Sequence, residues 1–157
     1  GKITKGTTIK EGIEQAVAGK GKVVEDIDDA DVVVVVVGEA PYAESEGDDR
    51  DLLLGYGNFT PLAEARESGK PVVAIMVSGR PMIVTEEIEN WDAFVAAWLP
   101  GTEGQGVADV IFGDYNFTGK LPVSWPKSVD QIPINVGDEN YDPLFEYGYG
   151  LKMNLEN

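Results

Sequence analysis

Between residues 39 and 51 the sequence EAPYAESEGDDRD sets Glu39, Glu44, Glu46, Asp48, Asp49 and Asp51 close together, with Arg50 as the only cation among them. Six carboxylates on so short a stretch repel one another, and three readings stay open from the residues alone. A solvated acidic loop is the default. A Ca²⁺ site is the second, since hard cations gather several oxygens, although the spacing fits no EF-hand loop. The third is general acid chemistry: neighbouring negative charge disfavours ionisation, so one carboxyl of such a group can keep its proton towards neutral pH and pass it to a leaving-group oxygen.

The rest of the composition narrows the chemistry. The chain has 157 residues, a formal net charge of −16, no cysteine and no histidine. Disulfides, thiolate nucleophiles, Ser–His and Cys–His dyads and the usual zinc ligands are therefore excluded. Carboxylate, Lys, Tyr and Ser chemistry remain, or a carboxylate-bound Mg²⁺ or Ca²⁺; no cofactor motif and no dedicated metal site is expected. An excess of negative charge argues against nucleic acid and against an anionic membrane surface as partners. No apolar run approaches the roughly 20 residues of a membrane span. The opening GKITKGTTIK has no apolar signal-peptide core, and the compartment is left open.

The elements that would position the acidic loop emerge from the hydrophobic pattern. DVVVVVVG (31–38) is apolar at almost every position, which predicts a strand buried on both faces, as in a parallel sheet. PVVAIMVSG (71–79) repeats the pattern, and a third buried strand is expected around 94–98. Thr7 or Thr8 can cap a helix through IKEGIEQAVA, which ends at Gly19 and Gly21. NFTPLAEARES (58–68) reads as a helix with Pro61 in its first turn and Gly69 closing it. GTEGQGVADVIFG (101–113) reads as another, with Val107, Val110 and Ile111 inward. KVVEDI (22–27) reads as a short edge strand and residues 120–125 as a final one, while PMIVTEEIEN stays ambiguous. The expected architecture is a three-layer α/β/α sandwich with a mostly parallel sheet of about five to six strands. It would form a single domain over 1–157, with an α/β core to residue 115 and a final strand and irregular arm over 116–157.

In an open parallel sheet, functional loops gather beyond the carboxyl ends of the strands. Loops 38–51, 78–81 and 99–106 lie there. Arg80 in VSGRPM can pair with the acidic loop or bind a ligand anion, the ion pair being favoured. GTEGQG superficially suggests a phosphate cradle but lacks the P-loop Lys and the GxGxxG spacing. Trp91, Trp98 and Trp125 sit in apolar contexts that favour core packing over sugar stacking. Asn58-Phe59-Thr60 and Asn116-Phe117-Thr118 are glycosylation triplets, meaningful only in a secreted eukaryotic chain.

Four phrases carry a more specific message: VGEAPYAESEGD (37–48), GKPVVAIMVSGRP (69–81), AFVAAWLPGTEGQGVADVIFGDYNFTGKLPVSWPKSVDQIP (93–133) and YDPLFEYGYGL (141–151). Together they resemble the C-terminal α/β sandwich domain of glycoside hydrolase family 3, nearest its exo-β-glucanase and β-glucosidase branch, over nearly the whole chain from about residue 6. The resemblance implies a retaining β-glycosidase in which an N-terminal (β/α)₈ barrel supplies an aspartate nucleophile and this domain lends the acid/base glutamate. In the pattern GE-x-P-Y-x-E that glutamate falls on Glu44, with Glu39 as its competitor; the substrate-binding residues are left unassigned. No barrel is present, and the domain's first strand and the Trp-containing segment after it are not recognisable at the start. The chain is thus expected to hold half an active site for a β-linked glucoside or oligosaccharide, completed by a barrel in cis or in trans. An uncovered sheet edge predicts pairing, either with such a partner or in a homodimer. The alternative is a stand-alone, non-catalytic carbohydrate-binding or assembly module.

Overall fold

A computed structural model describes residues 4–42 and 44–154, apart from the side chains of Glu44 and Glu46. The chain separates into two compact units that interleave along the sequence, one formed by 1–30, 99–119 and 150–157, the other by 31–98 and 120–149.

The first unit is built on two helices, α1 (Ile9–Val17) and α4 (Gly104–Ile111). Thr8 caps α1 with a complete capping box: its hydroxyl accepts from the Glu11 amide while the Glu11 carboxylate takes the Thr8 amide, which satisfies two otherwise orphaned donors. The helices meet through glycines, because a Cβ on Gly104 would stand 2.3 Å from the Thr8 carbonyl carbon and one on Gly12 would stand 2.7 Å from the Gly104 oxygen. Backbone bonds from Thr7 to Thr102 (2.9 Å) and from Gly104 to Thr7 (2.9 Å) fasten the two starts together. Residues 22–27 form no strand; Ile27–Asp29 make a 3₁₀ turn that Asp26 caps through the Asp28 amide. The aspartates Asp26, Asp28 and Asp29 around this turn favour local side-chain capping over a ladder.

The second unit holds the sheet. β1 (Val33–Gly38), β2 (Val72–Val77) and β3 (Ala93–Trp98) lie in that order, all parallel, with Val33 opposite Val72 and Val73 opposite Ala93. Between β1 and β2 run α2 (Glu44–Gly47) and α3 (Phe59–Glu67), the latter burying Leu62 and Ala65. One core unites Val35, Val37, Leu54, Leu62, Val72, Ala74, Met76, Met82, Val84 and Trp125.

Two expectations about this sheet need correction. β2 is buried on both faces, but β1 alternates: Val35 and Val37 are 5% and 2% exposed, whereas Val34 and Val36 are 39% and 46% exposed. β1 is an outer strand, and a run of valines cannot reveal whether a strand is central or peripheral. The sheet also has three strands among the described residues rather than five to six, since 120–125 contributes only an isolated bridge between Trp125 and Phe145. Trp125 replaces a ladder with side-chain packing. It is 1% exposed, donates Nε1–H to the Met82 carbonyl at 2.7 Å and touches Phe94, Trp98 and Phe145.

Candidate functional site

The acidic loop leaves the carboxyl end of β1, where Gly38 is required. A Cβ there would lie 1.9 Å from the Val77 carbonyl oxygen of β2. Asn58, at the start of α3, fixes the same point by accepting from the Gly38 amide (3.0 Å) and donating to the Gly38 carbonyl (3.0 Å). β1 therefore ends at a defined place, and Glu39 and its successors emerge from it in a fixed direction.

Arg80 organises the acidic loop. It projects from the turn after β2, where the 2%-exposed Ser78 donates its hydroxyl to the Arg80 carbonyl at 2.7 Å. Its Nε and Nη2 both stand 2.9 Å from Glu39 Oε1. Nη1 donates to the Gly47 carbonyl at 3.0 Å and the Asp49 carbonyl at 2.7 Å, and Nη2 reaches the Asp51 carbonyl at 3.4 Å. The guanidinium carbon lies 5.3 Å from the centre of the Tyr42 ring, within cation–π range. Contacts to Glu39 and to three loop carbonyls engage every guanidinium nitrogen, so Arg80 serves as the loop's internal counter-ion. The loop's own cation, Arg50, turns away to the Ile132 carbonyl.

The remaining acids divide by role. Asp49 Oδ1 accepts from the Asp51 amide and Asp51 Oδ1 from the Leu53 amide, both at 3.0 Å, so these two build consecutive Asx turns. Glu39 has a side chain only 10% exposed, with Oε1 held by Arg80 and Oε2 3.5 Å from the Tyr42 hydroxyl. Glu44 opens α2, between Tyr42 and Gly47; its carboxylate, the first candidate for acid/base chemistry, lies outside the described residues, as does that of Glu46. No group of three or more acids arranged to hold a metal occurs among the described residues. Beside the loop lies a cleft of about 620 Å³ whose lining includes Glu39, Asp49, Asp51, Tyr56 and Asn58. Tyr56 is 92% exposed and rests edge-on against Phe59 at 5.7 Å.

Sequence reasoning anticipated the pairing of Arg80 with the acidic loop and the core role of the tryptophans. It missed Tyr42, Tyr56 and the structural use of two asparagines. Asn58 and Asn116 head glycosylation triplets, yet both amides clasp backbone, Asn116 exchanging hydrogen bonds with Met153 at 2.7 and 2.9 Å. The signal that could have found Asn58 is its place one residue before α3, where Asn commonly serves backbone groups.

A parallel sheet with an acidic loop bound at the carboxyl end of its outer strand defines an α/β protein with a candidate site at the strand ends. The sequence matches the profile of the glycosyl hydrolase family 3 C-terminal domain over residues 1–153, and the chain belongs to that family. It is 38% identical over 145 positions to a periplasmic β-glucosidase of Salmonella typhimurium, a match covering 78% of this chain and 19% of that protein. A β-xylosidase of Formosa agariphila is 35% identical, with 90% of this chain and 21% of the relative matched. Among solved structures, an exo-1,3/1,4-β-glucanase from a Pseudoalteromonas species superposes with a TM-score of 0.83 at 42% identity, covering 94% of this chain and 20% of that one. The chain thus spans about a fifth of the length of these relatives.

Proposed function

We propose that this chain is the acid/base-bearing half of a retaining β-glycosidase active site, with Glu44 as the acid/base residue and a (β/α)₈ barrel domain as the partner that supplies the nucleophile and most of the sugar contacts. The family match over residues 1–153 carries this reading. The engagement of Glu39 supports the choice between the two glutamates: a general acid must reach the substrate, and the Glu39 side chain is only 10% exposed, with Oε1 held by Arg80. In the first step Glu44 protonates the departing glycosidic oxygen while the barrel's carboxylate attacks the anomeric carbon. In the second it takes a proton from the water that releases the sugar. Retention requires the two carboxyl groups about 5–5.5 Å apart, and within this chain no second carboxyl is assigned that role, so the isolated chain should not turn over β-glucosides. The substrate class is a β-linked glucoside or oligosaccharide. The five to six strands expected of the sheet would be reached with strands supplied from outside the described residues, across the open edge of β1.

The test is kinetic. With the barrel domain joined to this chain, Glu44→Gln should lower kcat/KM on a β-glucoside with a poor leaving group by about 10²–10⁴-fold, the usual share of general acid catalysis. Glu39→Gln should cost far less. The reverse ranking would move the role to Glu39, and turnover by the isolated chain that Glu44→Gln abolished would overturn the partnership.

A second reading, a carbohydrate-binding module without catalysis, draws on the exposed Tyr56 beside a polar cleft, since an aromatic face flanked by acceptors suits a sugar ring. Calorimetric titration of the isolated chain with glucose and short β-glucans separates the two. Saturable binding that Tyr56→Ala removes favours the module, and no heat favours the half-site.

A further inference from the structure

We infer that Arg80 is the positioning residue of the acid/base loop: its guanidinium sets where the α2 turn, and with it Glu44, stands relative to the carboxyl end of the sheet. The inference rests on the reading of Glu44 given above and names the device that would aim it.

Three observations carry it. The contacts bracket the turn. Glu39 and the Tyr42 ring precede Glu44–Gly47, while the carbonyls of Gly47, Asp49 and Asp51 close it and lie beyond it, so one planar group fixes both ends of a segment too short to hold its own place. The mount is rigid, because Ser78 is buried, pins the Arg80 carbonyl and donates its own amide to the Trp98 carbonyl of β3 at 3.1 Å. And the geometry is specific to arginine. Acceptors surround all three guanidinium nitrogens, whereas a lysine ammonium is a single point that cannot span from Glu39 to Asp51. The same group also offsets the repulsion among the loop's carboxylates, which a neutral residue could not do. Tyr42 completes the seat: its ring lies so close to Gly47 that a Cβ there would come within 2.3 Å of Cδ2.

The experiment has two arms. In the 157-residue chain, Arg80→Lys and Arg80→Gln should speed hydrogen exchange at the Asp51 and Leu53 amides about tenfold or more, as a local opening does, while protection in β1–β3 and the thermal midpoint of Arg80→Lys stay close to wild type. With the barrel domain joined, Arg80→Lys should lower kcat/KM about 10–100-fold, the scale of a displaced catalytic group, on an alkyl β-glucoside whose leaving oxygen needs a proton. On 2,4-dinitrophenyl β-glucoside, whose leaving group departs unaided, kcat/KM should hold within about threefold, because it reports the first step alone and that step then needs no proton from Glu44. General unfolding would depress both substrates alike. Unchanged exchange at Asp51 and Leu53 in both variants, or equal losses on the two substrates, overturns the inference. If exchange rises as expected but Glu44→Gln shows no dependence on the leaving group, the positioning of the loop stands and the assignment of Glu44 falls.

Discussion

Trp125 shows how much one side chain can hold in a segment without regular structure. It fills the centre of an aromatic group with Phe94, Trp98 and Phe145 and gives its only donor to Met82. Trp125→Phe keeps most of the apolar volume but strands a buried carbonyl, so a loss of about 1–3 kcal/mol is expected. Trp125→Ala adds a cavity and should cost about 3–5 kcal/mol; urea denaturation of the two variants would resolve the difference. A contrasting residue pair lies at the surface, where Lys10 of α1 pairs with Glu25. The hydrogen bond and charge of Lys10 lower the Glu25 carboxyl from its ordinary 4.5, and the same partner raises Lys10 from 10.5. A lowered carboxylate stabilises the fold above its unfolded value and loses that contribution as pH falls through the folded one. The raised amine stabilises below 10.5 and loses its share as pH climbs through its folded value. The difference in thermal midpoint between wild type and Lys10→Met should therefore be flat from about pH 5 to pH 10 and shrink on either side. Because both side chains lie at the surface, it should also shrink in high salt.

The elements depend on a few close approaches that composition does not advertise. Gly104→Ala places a methyl against the Thr8 backbone and should force α1 and α4 apart at a cost of about 1–3 kcal/mol. Gly106, two residues on, has nothing within 4 Å of its would-be Cβ and is exposed. Gly106→Ala should then stabilise by up to about 1 kcal/mol through helix propensity. Opposite signs from these neighbouring glycines of one helix, read by thermal melts followed by circular dichroism, would confirm that packing and not propensity decides at Gly104. Helix boundaries were largely legible: Thr8, Pro61 and Gly69 stand where capping and turn chemistry put them, Gly69 with a φ of +65°. That 22–27 and 120–125 form no strands was not legible, because short apolar runs carry no record of whether a neighbouring strand exists to pair with them.

For the molecule as a whole, the outer strand β1 and the residue before it expose Val32, Val34 and Val36 at 49%, 39% and 46%, and β1 ends a parallel sheet without a further strand among the described residues. Such an edge invites pairing. The isolated chain is expected to dimerise or to bind a barrel domain, and a monomeric mass by light scattering together with no association on adding a family barrel domain would contradict this. What the sequence determined by itself was the alternation of strands and helices, the burial of β2 on both faces, the exclusion of His and Cys chemistry, and the family phrases that include the loop after β1. These are local or compositional properties, written in periodicity, caps and residue types. Only the tertiary structure decided which acids of that loop are already spent. Arg80 lies 41 residues from Glu39 in sequence, and nothing short of the fold says that its guanidinium engages Glu39 and the carbonyls of Gly47, Asp49 and Asp51. That engagement turns a run of mutually repelling charges into an ordered support for the turn that begins at Glu44.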